Sequence, residues 1–220
     1  DHRFLKTAFD TSIFTDYARF EVQFGNVKRP TARNTTVEQA KFEVLNHKYT
    51  DLSESRYGAA LLNDCKYGIS VEGGQMRLSL HKGGCRPDYK GDHGVHDCVY
   101  AFLPHQGAFD VNHIVKPAYQ LNYPPVLAGK AFTALPLALP EAENILVETI
   151  KPCEDEARAF IVRLYEAEGA FTNTPVRFFA GAKSAAICNM LEEPQEGLED
   201  LAKVSLCFHP FEIKTLRVTY

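Results

Sequence analysis

The chain has 220 residues, of which 45% are apolar and 11% aromatic, and its formal net charge is −4. This length allows one large β domain or two smaller ones, and the apolar content is enough for sizeable cores. The charge provides no basic field that would gather phosphates, so we expect neither nucleic acid nor an anionic membrane as a partner. Neutral glycans suit this charge balance better.

The apolar runs and the cysteine spacing indicate where in the cell the protein is expected. The longest apolar candidate for a membrane span, Ala131 to Leu139, is interrupted by Pro136 and is far shorter than the roughly 20 residues required. No secretory signal is visible at the N-terminus. The six cysteines are widely spaced without a C-x-x-C pair, which favours free thiols in a reducing compartment and predicts a cytoplasmic protein.

Strand patterns dominate the first half of the chain. Apolar and polar residues alternate over 18–24, the period of a strand with one buried face. Residues 68–80 predict a hairpin whose turn contains two glycines. The next strand is predicted over 95–103, ending at Pro104, because proline lacks the N–H that a strand ladder needs.

The second half predicts a connection followed by more strands. Residues 123–143 hold four prolines and little alternation, which indicates a connecting segment. A hairpin is predicted at 145–165 around the acidic turn 153–157. Further strands are predicted at 176–179, 185–190, 203–208 and 212–218, and short helices at 36–43 and 195–202. The predicted class is all-β, an antiparallel sandwich or barrel.

A polar tip after a buried strand is the first candidate sugar site. The apolar run Ala59 to Leu62 ends abruptly in Asn63, Asp64, Lys66 and Tyr67. In a functional interpretation, Asp64 accepts from paired sugar hydroxyls while Lys66 donates, which orients a pyranose. In the alternative, Asn63 and Asp64 organise a turn through bonds to the backbone and Lys66 pairs with the carboxylate. The residues alone leave both open.

A long loop rich in glycine and charge, residues 81–96, is the second candidate. Loops of this kind carry function or disorder. Lys82 or Arg86 would reach a bound sugar or glycan branch from it, whereas the alternative is a solvated surface loop. The loop therefore adds two candidate substrate contacts.

The same loop raises the question of zinc. Asp92, His93, His96 and Cys85 carry the imidazole and thiolate groups that zinc prefers. Residues three apart share a face only on a helix, which the neighbouring glycines and strands disfavour. We therefore predict no metal in this chain.

Histidines elsewhere suggest two further hypotheses. His105, in the segment 104–107 (PHQG) at the end of a strand, is a candidate rim contact or proton carrier, or bonds a neighbouring loop. His47 with Glu43 and Asp51 suggests a base, an acid and an orienting group, or a structural hydrogen-bond set. We predict no catalytic residue among them.

Five stretches together resemble a known family. They are KRPTARN at 28–34, KFEV at 41–44, HKYTDLSESRYGAALLNDCKYG at 47–68, DCVYAFLPHQG at 97–107 and PFEIKTL at 210–216. In this order they resemble the C-terminal β-rich region of glycoside hydrolase family 38, the zinc-dependent α-mannosidases. The likeness extends through nearly the whole chain.

The resemblance implies a fold and a division of labour. The fold would be part of a galactose mutarotase-like sandwich over 1–137 and a small antiparallel β-sandwich over 138–220. The family carries its zinc and its carboxylate nucleophile on an N-terminal catalytic barrel domain, which nothing here resembles. The chain, opening on Asp1 without an initiator Met, is therefore expected to be a piece of a longer polypeptide.

The implied function belongs to that longer polypeptide. Its N-terminal catalytic domain would be the partner of this chain, and it would remove terminal α-mannose from mannose-containing oligosaccharides with retention. This chain would support and border the active site and be inactive alone. The loop contains a run that is typical of the family, at Asp92, His93, Gly94 and His96. It departs from the family at His93, where the family usually has Gln.

Two other functions remain alternatives. An independent carbohydrate-binding module would need an exposed aromatic platform for sugar stacking, and the chain has no Trp. An aldose epimerase follows only from the mutarotase-like fold, and a fold does not establish an activity.

Overall fold

A computed structural model describes residues 3–84, 86–127, 129 and 138–220. The chain divides into two compact units, 1–125 and 126–220. The domain boundary predicted after residue 137, like most of the apolar run 131–139, falls on 130–137, outside the described residues. Within the described ranges, no helix is long and apolar enough to cross a membrane.

The first unit consists of two antiparallel sheets. Its strands are β1 Arg3–Asp10, β2 Tyr17–Val22, β3 Gly25–Pro30, β4 Val44–Leu45, β5 Tyr49–Ser53, β6 Tyr57–Asn63, β7 Gly68–Glu72, β8 Gln75–Gly83 and β9 Tyr100–Gln106. One sheet has the order β1-β8-β7-β4 and the other the order β3-β2-β5-β6-β9. The described strand pairs of both sheets are antiparallel.

The core of this unit lies between the two sheets. Phe20, Leu52 and Leu61 face it from the five-stranded sheet. Ile69 and Leu78 face it from the four-stranded sheet. Successive strand residues point to opposite faces, so the alternation seen in the sequence fills one face of each sheet with apolar side chains. The unit is a two-layer sandwich.

Short helices complete the first unit. Helix α1, Thr36–Ala40, is shorter than the predicted 36–43 and has a capping box between Thr35 and Glu38. A π-helical turn, Val111–Val115, continues into α2, Lys116–Asn122, and Asp110 caps the turn through its side chain. The π-helical turn and α2 cover the face of β5 and β6 that points away from the core. The sequence patterns did not predict the 111–122 helix.

The second unit is also a two-sheet sandwich. Its strands are β10 Ala138–Pro140, β11 Ile145–Pro152, β12 Ala159–Glu166, β13 Thr172–Phe178, β14 Ser184–Cys188, β15 Pro194–Leu198, β16 Ser205–Phe208 and β17 Ile213–Thr219. The sheet orders are β10-β13-β16 and β11-β12-β17-β14-β15. Val176 and Phe208 from the first sheet pack with Leu164 and Leu216 from the second. The all-β class and the sandwich architecture are therefore confirmed.

Two local predictions are wrong. The segment 195–202 is not a helix, because its first half belongs to β15, which pairs with β14. Pro104 does not end a strand but lies inside β9, opposite Ala59. Proline is tolerated there because β9 is the outermost strand of its sheet, where a missing N–H can face away from the ladder.

Candidate functional site: a polar tip and its neighbouring loop

The polar tip, residues 63–67, begins where β6 ends. The Asn63 side chain is fully buried: Nδ2 donates to the His47 carbonyl at 2.7 Å, and Oδ1 accepts from the Lys66 amide at 2.7 Å. From α2, Nδ2 of Asn122 donates to the Asn63 carbonyl at 3.0 Å. Both polar ends of the Asn63 side chain are thus used inside the protein, as the turn-organising interpretation requires.

Asp64 keeps an unused acceptor. Its amide donates to the Val99 carbonyl at 3.1 Å. Its carboxylate accepts from the Cys65 thiol, and this hydrogen bond is the main cause of the lowered pKa of Asp64. Among the described side chains, Oδ1 of Asp64 is one of a few buried polar atoms without a hydrogen-bond partner. The Asp64 carboxylate is therefore an acceptor that the protein uses only in part, and the residue as a whole is half-buried at the rim of the tip.

Lys66 brings the tip together with the loop 81–96. An open cleft is lined by Lys66 and, among others, by His93, His96 and Cys98. Tyr67 is half exposed, and its ring lies 5.2 Å from that of His47. The two regions that sequence analysis named separately therefore border the same cleft.

Lys82 and Arg86 line a second cleft together with Asp88 and Asp92. Nζ of Lys82 lies 5.3 Å from the centre of the Phe4 ring, a cation–π distance. Asp92 also lines the cleft that contains Lys66. The loop thus presents cations and a carboxylate on a surface continuous with the tip.

His105 is neither a rim contact nor a free proton carrier. Its side chain is 3% exposed, and Nε2 lies 2.9 Å from Oδ1 of Asp51. Ser53 donates from Oγ to the other oxygen of Asp51 at 2.7 Å. His105 reaches across β6 because the residue between, Gly58, has no side chain. The prediction of a rim contact is therefore wrong, since a neighbouring strand holds His105 within the sheet.

The pair of His105 and Asp51 predicts a pH dependence of stability. Burial alone would lower the pKa of His105, but the hydrogen bond and charge of Asp51 raise it above the usual value. The pair should then contribute fully below about pH 6.5, the unfolded value, and lose its contribution as the pH rises through the raised folded value. We expect urea unfolding of His105→Gln to lack this component between pH 5.5 and 8.5.

His93→Gln is the matched control, because His93 is exposed on the loop 81–96. Its pH profile of stability should follow that of the unchanged chain. A His105→Gln profile parallel to that of the unchanged chain would contradict the assignment of the pH dependence to the buried pair.

The loop histidines do not form a metal centre in the described part of the chain. Nε2 of His96 lies 2.7 Å from the Asp92 carbonyl oxygen, and the centre of its ring lies 4.7 Å from that of the His81 ring, with the two planes tilted by 50°. Among the described residues, no three His, Cys, Asp or Glu side chains are arranged to hold a metal ion. Cys85 lies outside the described residues.

Glu43, His47 and Asp51 are not brought together. Glu43 pairs with Lys6 at 3.2 Å, His47 contacts Tyr67, and Asp51 bonds His105. These three side chains have separate partners, so they form neither a catalytic set nor the single structural hydrogen-bond set of the alternative interpretation.

A buried ion pair beneath the tip was missed in the sequence. Nζ of Lys48 lies 3.0 Å from Oε1 of Glu21, which is 3% exposed, and 4.5 Å from the centre of the Tyr119 ring. Burial raises the pKa of Glu21, and the charge of Lys48 opposes that rise. No local pattern marks this pair, because its partners come from β2, the 46–48 connection and α2.

Two family models match the chain. Residues 1–90 match the glycosyl hydrolases family 38 C-terminal domain, and residues 144–216 match the glycosyl hydrolases family 38 C-terminal beta sandwich domain. The described strands of the first unit up to β8 fall in the first match, and most strands of the second unit fall in the second.

Named relatives agree with these models. The chain is 37% identical to alpha-mannosidase 2C1 of Homo sapiens over 98% of its own length and 22% of that protein. It is 39% identical to alpha-mannosidase G of Dictyostelium discoideum over 98% of its length and 21% of that protein. The chain therefore spans about a fifth of the length of these relatives.

A solved structure has the same fold. The crystal structure of an alpha-mannosidase from Enterococcus faecalis V583 aligns with 97% of this chain, and the chain with 25% of that protein, at a TM-score of 0.72 and 19% sequence identity. At this identity the alignment supports the fold alone.

Proposed function

We propose that this chain is part of an α-mannosidase that removes terminal α-mannose residues. The chain belongs to glycoside hydrolase family 38 and corresponds to the C-terminal β region of that family. The observation that carries this proposal is an identity of 37% to 39% with two α-mannosidases, extending over 98% of the chain. Its partner would be the N-terminal catalytic domain of the same polypeptide. This chain would support and border the active site rather than perform the chemistry.

Zinc, in this proposal, is bound by the catalytic domain. The described side chains do not fit it: the His96 ring nitrogen is engaged by the Asp92 carbonyl, and no group of three suitable donors exists among them. Zinc in family 38 would hold the sugar through its hydroxyl oxygens and so help to stabilise the oxocarbenium-like transition state. We therefore assign no catalytic residue and no metal ligand here.

The tip supplies the proposed contacts to mannose-containing oligosaccharides. The half-buried carboxylate of Asp64 would accept from a sugar hydroxyl through its accessible oxygen, and Lys66 would donate to another. Tyr67, Lys82 and Arg86 would contact more distant parts of the glycan, because they lie on the same exposed border. In this arrangement Asn63 and His105 are supports that touch no sugar.

A cytoplasmic location is part of the proposal. The five described cysteines are free thiols, which suits a reducing compartment. Fractionation of cells that express the intact protein, with activity measured in each fraction, tests this location.

The decisive experiment compares the intact protein with the 220-residue chain. Both are incubated with an aryl α-mannoside and zinc, and release of the aryl group is followed. We expect turnover by the intact protein and none by the chain. Turnover by the chain alone would place the catalytic centre here, and an inactive but folded intact protein would overturn the mannosidase assignment. Glycan binding by the isolated chain would instead favour an independent binding module.

Asp64→Asn in the intact protein tests the sugar contact. Loss of one hydrogen bond to a charged group costs about 1.5–3 kcal/mol, so we expect kcat/KM to fall roughly 10- to 100-fold. Thermal stability should stay unchanged, because an amide retains one acceptor for the Cys65 thiol. Asp16→Asn, at an exposed position, is the control and should leave both values unchanged. Lost stability with intact kinetics would leave only the turn role.

A further inference from the structure

The ladder between β6 and β9 continues beyond the ends of the two strands. Asn63 lies opposite Tyr100 in the register. One step further, the Asp64 amide donates to the Val99 carbonyl at 3.1 Å. The same register places the next two residues, Cys65 and Cys98, opposite each other.

This position in the ladder favours close side chains. The Asp64 amide donates to the Val99 carbonyl, as in a hydrogen-bonded pair of antiparallel strands, so the same register makes Cys65 and Cys98 the next, non-hydrogen-bonded pair. Such pairs have Cα atoms about 4.5 Å apart, within the roughly 4.4–6.8 Å that a disulfide spans. An independent sign of proximity is electrostatic: the Cys98 thiol contributes to the raised pKa of Cys65.

The two thiols are also within reach of solvent. Cys65 is exposed and Cys98 is half exposed and lines the cleft beside Lys66. Cys153 and Cys188, by contrast, are buried. Cys207 is exposed but has Asn173 opposite it in the sheet, which makes it a matched control for reactivity without a partner.

We propose that Cys65 and Cys98 form a redox-sensitive pair that closes a disulfide across the ends of β6 and β9, beside the polar tip. The oxidant is a small-molecule disulfide such as glutathione disulfide. The Cys98 thiolate attacks one glutathione sulfur, forming a mixed disulfide and releasing one glutathione thiolate. Cys65 then attacks the Cys98 sulfur and displaces the second glutathione. The departing thiolates take up the two cysteine protons, so two protein thiols and one glutathione disulfide give one protein disulfide and two glutathiones.

The order of attack follows from the surroundings of Cys65. Its thiol donates to the Asp64 carboxylate, and this bond is the main cause that raises the pKa of Cys65 to about 11. A thiol with so high a pKa is a poor first nucleophile at neutral pH. Cys65 can still attack a mixed disulfide on Cys98, because the two side chains lie opposite each other and the reaction is intramolecular.

Closure of the disulfide changes Asp64. Oxidised Cys65 has no S–H to donate, so Asp64 loses the interaction that contributes most to its lowered pKa. The disulfide itself is independent of the proposed function, whereas its effect on turnover rests on Asp64 contacting the sugar. In reducing compartments, the disulfides that do form are usually transient ones of this kind.

The test is oxidation of the reduced 220-residue chain with glutathione disulfide, followed by thiol counting and mass spectrometry of the proteolysed chain. We expect two thiols to be lost together and a single linked pair, Cys65 with Cys98. Cys65→Ser should stop at glutathione bound to Cys98. Cys207→Ser and Cys85→Ser should still form the linked pair. A link that uses Cys85, or a mixed disulfide at Cys98 that persists in the unchanged chain, would overturn the proposal.

A second variant probes the role of Asp64 in the pair. Asp64→Asn removes the negative charge of the Asp64 carboxylate beside the Cys65 thiol, so closure from the mixed disulfide should accelerate severalfold near neutral pH. An unchanged or slower closure would show that Asp64 does not control this thiol.

Discussion

Replacing Glu166 with glutamine is expected to lower the free energy of unfolding of the second unit by about 2–6 kcal/mol. Glu166 ends β12, its side chain is fully buried, and its carboxylate connects three segments of that unit. Oε1 accepts from the Glu168 amide and from Nδ2 of Asn144. Oε2 accepts from three further backbone amides, those of Gly169, Ala170 and Phe211.

An amide group cannot replace this carboxylate. Glutamine has one acceptor oxygen, and its NH2 would face donors at the other position. In the better of its two orientations, the glutamine oxygen takes the place of Oε2 and keeps the bonds from its three backbone amides. The glutamine NH2 then takes the place of Oε1, where it faces two donors, the Glu168 amide and Asn144 Nδ2. Each buried donor left without a partner costs about 1–3 kcal/mol, which gives the expected range.

The measurement is urea unfolding combined with amide hydrogen exchange. Exchange should accelerate most at the Glu168 amide, because it loses the Oε1 acceptor, and less at Gly169, Ala170 and Phe211, which keep the remaining oxygen. Glu199→Gln, an identical chemical change at an exposed position, should shift the unfolding midpoint very little. Equal midpoints for the two variants would show that the Glu166 hydrogen bonds are replaceable.

Local patterns predicted most strands and the short helix α1, but not the helix at 111–122. The hairpin at 68–80 could be predicted because its two glycines and flanking alternation act within one short segment. The helix at 111–122 has its signals too, a capping Asp110 and Pro117 in the first turn of α2. They were missed because the apolar residues form no long repeat, and burial against the sheet stabilises the helix instead.

Long-range pairing limited the prediction of the site. The polar tip could be found in the sequence because Asn63 directly follows a run of buried residues in β6. The contact of Asn122 with Asn63 and the burial of His105 could not, since both depend on residues far away in the sequence: Asn122 lies 59 residues from Asn63, and His105 lies 54 from Asp51. For the same reason the opposition of Cys65 and Cys98 follows only from the register.

Gly58 carries the second large expected effect. It lies in β6 between Ser53 of β5 and His105 of β9. A Cβ atom at this position would lie 2.5 Å from the Cβ of Ser53 and 2.5 Å from two atoms of the His105 ring. We expect Gly58→Ala to destabilise the first unit by about 1–3 kcal/mol, because the methyl group overpacks a filled site.

The design of the test separates this clash from the general effect of glycine in a strand. Gly197→Ala, in β15, adds a methyl group with no heavy atom within 4 Å and should be neutral or slightly stabilising in urea unfolding. In a His105→Ala background, the cost of Gly58→Ala should fall but not vanish, because Ser53 remains in place. An unchanged cost there would assign the strain to Ser53 alone. The missing side chain at Gly58 is thus what lets His105 reach Asp51 across an intervening strand.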